Sequence, residues 1–329
     1  MGSSSTLSPE FTAAFLTRAG ANGTLTFADF MDLALFHPQL GYYRQNKARV
    51  GYARGTDFYT ATTSGAVFGE MVTAACVNLL GGETEAKNHS FVEIGAEPGG
   101  GVLAGVTHPF ASARTIRIGE PLELGGRCIV FSNELFDAQP LRRFVCRGDA
   151  WRELGVRLHD GVLQEVELTE TSEPWLPADA GEGYIFDAPR AAATLADTLA
   201  VQPWSGLFVA FDYGKSLVEL ATATPAGTAR AYFQHTQSNE LLARPGEQDL
   251  TGHVCWDWLA DSLNRAGFHG TTVESQESFF IHHAGNFLAP AMAAEASRVS
   301  PRKLALMQLL HPSHMGQKFQ VLHARREKS

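Results

Sequence analysis

The chain has 329 residues, 44% apolar and 19% charged, which is enough to fill a sizeable core and excludes wholesale disorder. Its formal charge of −9 excludes a protein that grips nucleic acid by neutralising phosphates. No apolar run reaches the roughly 18 residues of a membrane span, so no membrane span is expected. Cys76, Cys128, Cys146 and Cys255 are scattered without a Cys-x-x-Cys pair, the pattern of small buried hydrophobes in a reducing compartment. Met1 to Gly20 holds one arginine and no long apolar stretch, which fits neither a secretory signal nor a transit peptide. A cytoplasmic protein is expected.

Apolar residues recur at helical spacing from Pro9 to about Arg18 and from Phe27 to Phe36, the second run behind the N-cap residue Thr26. A longer helical pattern runs from Gly65 to Leu80 and stops at Gly81-Gly82. Between them, Gly51, Tyr52, Gly55 and Tyr59 form an aromatic, flexible loop with the composition of a ligand lid, and Tyr59 is a candidate substrate contact; a plain surface loop is the competing reading. Ser90–Ile94 is a short strand with the acid Glu93 near its end. It runs into Gly95-Ala-Glu-Pro-Gly99-Gly-Gly101 and an expected helix start at Val102, together the first β-α unit of a nucleotide-binding sheet. The segment 102–131 is short, and it holds only one clear strand before Ile129, near Ala113 to Ile118, ending at Gly119-Glu120.

Ile129-Val-Phe131 then enters Ser132-Asn133-Glu134-Leu-Phe-Asp137, closed by Pro140. Open α/β sheets bind ligands outside the carboxyl ends of their strands, so this turn aims two carboxylates and an amide at whatever the fold holds. A solvated loop with an N-cap from Ser132 or Asn133 is the bland alternative. From Arg142 the pattern alternates, with turns at Arg147-Gly-Asp149 and Asp160-Gly161, which predicts an antiparallel meander over about 142–185. Gly206 to Phe211 is a buried strand with Asp212, Tyr213 and Gly214 at its carboxyl end, the second strand end expected to face the site; a cap onto the following turn is the other reading of Asp212. Trp256 to Ala266, Phe279 to His283 and Phe319 to His323 supply helices and last strands. His282 and His283, read as neighbours on a strand, would face opposite sides, so no metal centre is expected.

Several blocks in this order resemble the MidA family of class I S-adenosylmethionine (SAM) methyltransferases, whose mitochondrial members methylate an arginine of a respiratory complex I subunit. They are Gly41-Tyr-Tyr43; Gly55-Thr-Asp-Phe-Tyr-Thr60 with Phe68-Gly-Glu70; Glu93-Ile-Gly95; Ser132 to Ala138 with Pro140; and Trp151-Arg-Glu153. Further on come Glu182-Gly-Tyr184, Asp212-Tyr-Gly214, Pro245-Gly246, Asp249-Leu-Thr251, His253-Val254 and Met315-Gly316 with Phe319. The resemblance covers nearly the whole chain. It implies an α/β, Rossmann-like methyltransferase sheet with a shortened central segment. Residues 1–85 would be an N-terminal helical and lid section, and 86–329 the core carrying the antiparallel insertion.

The function implied is SAM-dependent methylation of a protein side chain, arginine in the first place. Glu93, Gly95, Gly99, Glu120 and Ser132 would serve the cofactor. Glu134 and Asp137 would hold the guanidinium and take its proton, with Asn133 orienting it. Asp212, Tyr213, His235, His253 and Tyr59 would contact substrate. Two departures support an alternative, a degenerate member acting as a binding or assembly factor. Glu97 stands where the family has a glycine, and the segment 102–131 is short. A dinucleotide oxidoreductase is a weaker reading, because no tight Gly-x-Gly-x-x-Gly is present. Self-association as a homodimer stays open.

Overall fold

The computed structural model describes residues 7–45, 49, 56–57, 61–98, 100–297 and 299–327, without the side chains of 62 and 63. Tyr59 and Gly99 lie outside the described residues. Six strands form the central sheet: β1 (Ser90–Ile94), β2 (Ser112–Ile116), β3 (Gly126–Asn133), β4 (Trp204–Asp212), β5 (His269–Ser275) and β6 (Gln320–Arg326). Their spatial order is β5-β6-β4-β3-β1-β2. The pairs β2–β1, β1–β3 and β3–β4 are parallel, and β6 runs antiparallel between β4 and β5. Strand β4 is buried along its whole length, as its continuous apolar run requires of a central strand covered on both faces.

Phe68, Phe131, Phe211 and Phe280 fill one face, with Phe68 and Phe211 edge to face at 5.4 Å. The other face packs against helices Arg190–Ala200 and Trp256–Arg265. The expected antiparallel meander is present as strands Arg142–Arg147, Ala150–His159 and Val162–Thr171, joined by Ile185–Ala188. The N-terminal section contributes to both layers. Thr24–Thr26 pairs with Ala150–His159, and helix Ala66–Leu79 lies on the central sheet.

The helix expected from Val102 does not form; residues 102–105 are a turn that leads by an irregular path to β2. Helix Ala66–Leu79 already covers that part of the sheet, and a Cβ on Gly69 would stand 2.1 Å from the Val102 carbonyl oxygen. A crossover helix has no room there. β2 is the edge strand, and the single strand expected within 102–131 is thus the last strand on that side of the sheet. The stretch after Asn133 is likewise a turn rather than a helix, so the proximity of Glu134 and Asp137 has another cause. Phe279 to His283 belong to helix Gln276–His283, which corrects the strand reading of the two histidines.

Candidate functional site

β1 connects outward to β2 in one direction and pairs with β3 in the other, so the carboxyl ends of β1 and β3 flank a switch point of the sheet. A cavity of about 640 Å³ opens there. The turn Gly95–Pro98 with Gly100 forms one wall, Asn133 to Pro140 a second, and Tyr43, Asp249 and Thr251 a third.

Glu93 is buried at the base. Its Oε2 accepts a hydrogen bond from the Val102 amide at 2.6 Å, which holds the glycine turn closed. Burial raises its carboxyl to about 7, against the lowering effect of that bond and of Arg117. Gly101 has to be glycine, since a Cβ would stand 2.2 Å from Glu93 Oε2. Gly101→Ala is therefore expected to cost about 1–3 kcal/mol by overpacking, read by urea unfolding. Retention of full stability would mean that the Glu93–turn contact is dispensable.

The Ser132–Asp137 turn is built by Asp212. That carboxylate is fully buried and accepts from the amides of Phe136 at 2.9 Å, Asp137 at 3.4 Å and Tyr213 at 2.9 Å. Asp212 thus does not line the cavity; it caps the turn that does. Glu134 sits at φ 53 with its amide bonded to the Phe211 carbonyl, a left-handed position that costs a non-glycine residue energy and clusters at functional sites. Both Glu134 and Asp137 line the cavity, and desolvation first, then the Asp212 charge, lifts both carboxyls well above their usual range. Asn133 donates to Glu134 Oε1 at 3.0 Å, which leaves its own buried Oδ1 without a partner among the described residues. Ser132 Oγ is likewise buried and unpartnered.

Of the other expected contacts, Tyr213, His235, Gly95 and Glu120 line the cavity. Glu120 lies four residues beyond the end of β2, where its carboxylate accepts from the Arg117 amide at 2.7 Å. His253 stands away from the cavity, half-buried, its imidazole lowered to about 4 by burial and by Lys215 and Arg230.

The site also contains groups that sequence reasoning did not assign. Asp249 is buried, accepts from the Tyr43 hydroxyl at 2.8 Å and is raised to about 7 by desolvation. Tyr42 donates to Asp57 at 2.7 Å. Both acids fall in blocks quoted for the family resemblance, which was the available signal. Arg49 gave no signal. It is only 3% exposed, binds Glu97 through Nη2 at 2.9 Å and Nε at 3.2 Å, and donates to the carbonyls of Tyr42 and Gln45. Its guanidinium also lies over the Tyr43 ring at 5.3 Å. The extra carboxylate of Glu97 therefore carries its own counter-ion.

A family described as "Putative S-adenosyl-L-methionine-dependent methyltransferase" matches residues 113–273. The zebrafish (Danio rerio) mitochondrial protein arginine methyltransferase NDUFAF7 is 24% identical over 318 residues, covering 78% of this chain and 72% of that protein. A COG1565 superfamily member from Burkholderia thailandensis, crystallised with S-adenosylhomocysteine, superposes with a TM-score of 0.83 at 22% identity, over 98% of this chain and 95% of that one. A second crystal structure of a COG1565 superfamily protein from the same organism gives 0.79, with the same identity and coverage. Both share the fold. Over residues 113–273 the chain is thus similar to a family of S-adenosylmethionine-dependent methyltransferases, and it shares the fold of the two COG1565 superfamily structures.

Proposed function

We propose that this protein transfers a methyl group from SAM to an arginine side chain of a protein substrate. The observation that carries this reading is the acidic cavity. Glu93, Glu134, Asp137 and Asp249 line it, with Arg49 and Arg117 as the lysine or arginine residues among its described lining. A cavity of that charge suits a cation.

The glycine turn at Gly95, Glu93 beneath it and the β2 end at Arg117–Glu120 are the groups that would hold the cofactor. The space between them and the turn's close approach to Glu93 suit a ligand laid along the backbone. Bound there, SAM would supply an electrophilic methyl on a sulfonium. The chain's own task is alignment and charge management. Arginine arrives protonated, since its pKa is above about 12. Glu134 and Asp137 grip it by charge-assisted hydrogen bonds and concentrate electron density on one nitrogen. The unpartnered Oδ1 of Asn133 accepts a second N–H. Each transfer releases one proton from the guanidinium, and a carboxylate whose pKa is already raised is suited to take it.

The reading as a degenerate member rested on Glu97 and the short segment. The Arg49 partner counts against the first point, and the persistence of β2 and its acid turn against the second. A cytoplasmic setting is kept as a proposal on the four unpaired, buried cysteines, which suit a reducing compartment. The zebrafish relative is mitochondrial by name, and no helix among the described residues is long and apolar enough to cross a membrane.

Calorimetric titration with S-adenosylhomocysteine is the test of the cofactor site, and mass spectrometry of arginine-containing protein pools incubated with enzyme and SAM is the test of the acceptor. Micromolar binding is expected, with a mass gain on arginine of one methyl group in place of one hydrogen. Methylation confined to another residue type would sink the arginine reading.

The carboxyls also set a pH profile. In the free enzyme desolvation, then the Asp212 charge, holds Glu134 and Asp137 well above the usual carboxylate range, so a guanidinium meets ionised partners only as pH rises past it. kcat/KM is expected to rise with pH above the usual carboxylate range and then level as Glu134 and Asp137 ionise. For stability the sign is opposite. Carboxyls of about 4 in the unfolded chain hold protons longer when folded, so their contribution is full below about 4 and is lost as pH rises through about 7.

A further inference from the structure

Outside the cavity, one cluster joins three imidazoles to a single carboxylate. Glu274 and His323 sit on the antiparallel pair β5–β6, in which Thr272 pairs His323 and Glu274 pairs Val321, so the two side chains are diagonal neighbours on one face. Helix Gln276–His283 starts directly after β5, capped by Ser275, and lays its last turn back over that face. His283 Nε2 thereby comes to 2.9 Å and His323 Nε2 to 3.1 Å from Glu274 Oε1, while His282 Nδ1 reaches Oε2 at 2.5 Å. The rings of His283 and His323 meet edge to face at 5.1 Å.

We propose that Glu274, His283 and His323 bind a divalent transition-metal ion of the zinc class, with the fourth position left to solvent and His282 holding the other oxygen of Glu274. The three donor atoms lie within 4.8 Å of one another. Tetrahedral zinc, with ligands at about 2.0–2.2 Å, holds its donor atoms roughly 3.4 Å apart. The two short contacts open by a few tenths of an ångström to admit the ion, a change within side-chain reach. Imidazole with carboxylate is the donor set that zinc takes, and hard cations such as magnesium prefer oxygen alone. His283 and His323 each offer the Nε2 lone pair and keep their proton on Nδ1; a proton held on Nε2 leaves to solvent when the ion enters.

Two further features favour a cation here. The histidines occupy the last turn of their helix, where the carbonyl ends concentrate negative potential. A second cleft of about 710 Å³, lined by Glu70, Thr73, His283 and Asn286 among others, reaches His283 and gives the ion a path in. None of the three ligands, nor His282, lines the methyl-transfer cavity. The ion would clamp helix Gln276–His283 to the sheet, and Phe279 and Phe280 of that helix pack on Phe211, the residue before the turn-building Asp212.

The test uses the full chain stripped with a chelator and titrated with zinc ion by calorimetry and with cobalt ion by visible absorption. One ion per chain at micromolar Kd or tighter is expected, with tetrahedral cobalt bands and a raised melting temperature. Glu274→Gln and His283→Ala should each weaken binding by about tenfold or more, equivalent to ~1.4 kcal/mol. His311 and His314, whose rings are 5.4 Å apart, are the competing surface pair; their double alanine variant should bind as the parent does. Far-UV circular dichroism of the metal-free variants checks the fold, and half-buried His283 carries the test if Glu274→Gln unfolds. Binding only at millimolar metal, binding that survives loss of His283, or binding lost with His311 and His314 would overturn the proposal.

Discussion

Glu134→Gln is expected to lower kcat by about 10²–10⁴-fold while S-adenosylhomocysteine binds within about threefold of the parent affinity, the signature of a lost proton acceptor rather than a lost pocket. The carboxylate is held by its residue's left-handed backbone, its Asn133 contact and the Phe211 anchor, all of which glutamine can keep. Only the charge disappears. Because burial and Asp212 already disfavour that charge, the variant should also melt higher than the parent at pH 8, and the gain should shrink toward pH 5. Steady-state kinetics on an arginine peptide and scanning calorimetry at both pH values read the two effects. An active variant, or one that loses cofactor affinity instead, would remove Glu134 from the acceptor role.

Arg49→Met carries the second large effect. Its loss leaves Glu97, on the turn that would hold the cofactor, without a counter-ion where the carboxylate of the cofactor's amino-acid end would meet it. A carboxylate about 4–5 Å from another costs roughly 3–4 kcal/mol at an effective dielectric near 20. S-adenosylhomocysteine affinity should therefore fall by about two to three orders of magnitude. Arg49→Met combined with Glu97→Gly, which removes both charges, should recover most of it. Failure of the double variant to recover would mean that Arg49 acts on cofactor affinity by another route, through the Tyr42 and Gln45 carbonyls it holds. A single variant that binds normally would show that Glu97 never needed a partner.

Much of the scaffold was legible locally. Thr26 marked the cap of the second long helix, alternation marked the meander, and an uninterrupted apolar run marked β4 as central. The acid turn after β3 was legible because a strand running straight into Asn-Glu-x-x-Asp can hardly serve the core. Its geometry was not. Asp212, some 75 residues away, arranges that turn by holding the amides of Phe136 and Asp137. The Val102 segment has helix-like composition, but helix Ala66–Leu79 takes its place on the sheet, and steric exclusion by a distant element leaves no trace in local spacing.

The sequence by itself determined the strands, their acidic ends and the family pattern, because these rest on periodicity and on residue types within a few positions. Tertiary structure alone decided which charges compensate one another. Arg49 reaches Glu97 across 48 positions, Tyr43 reaches Asp249 across 206, and His323 joins Glu274 across 49. Coulomb energy depends on spatial distance and local burial, and neither quantity is written in separation along the chain.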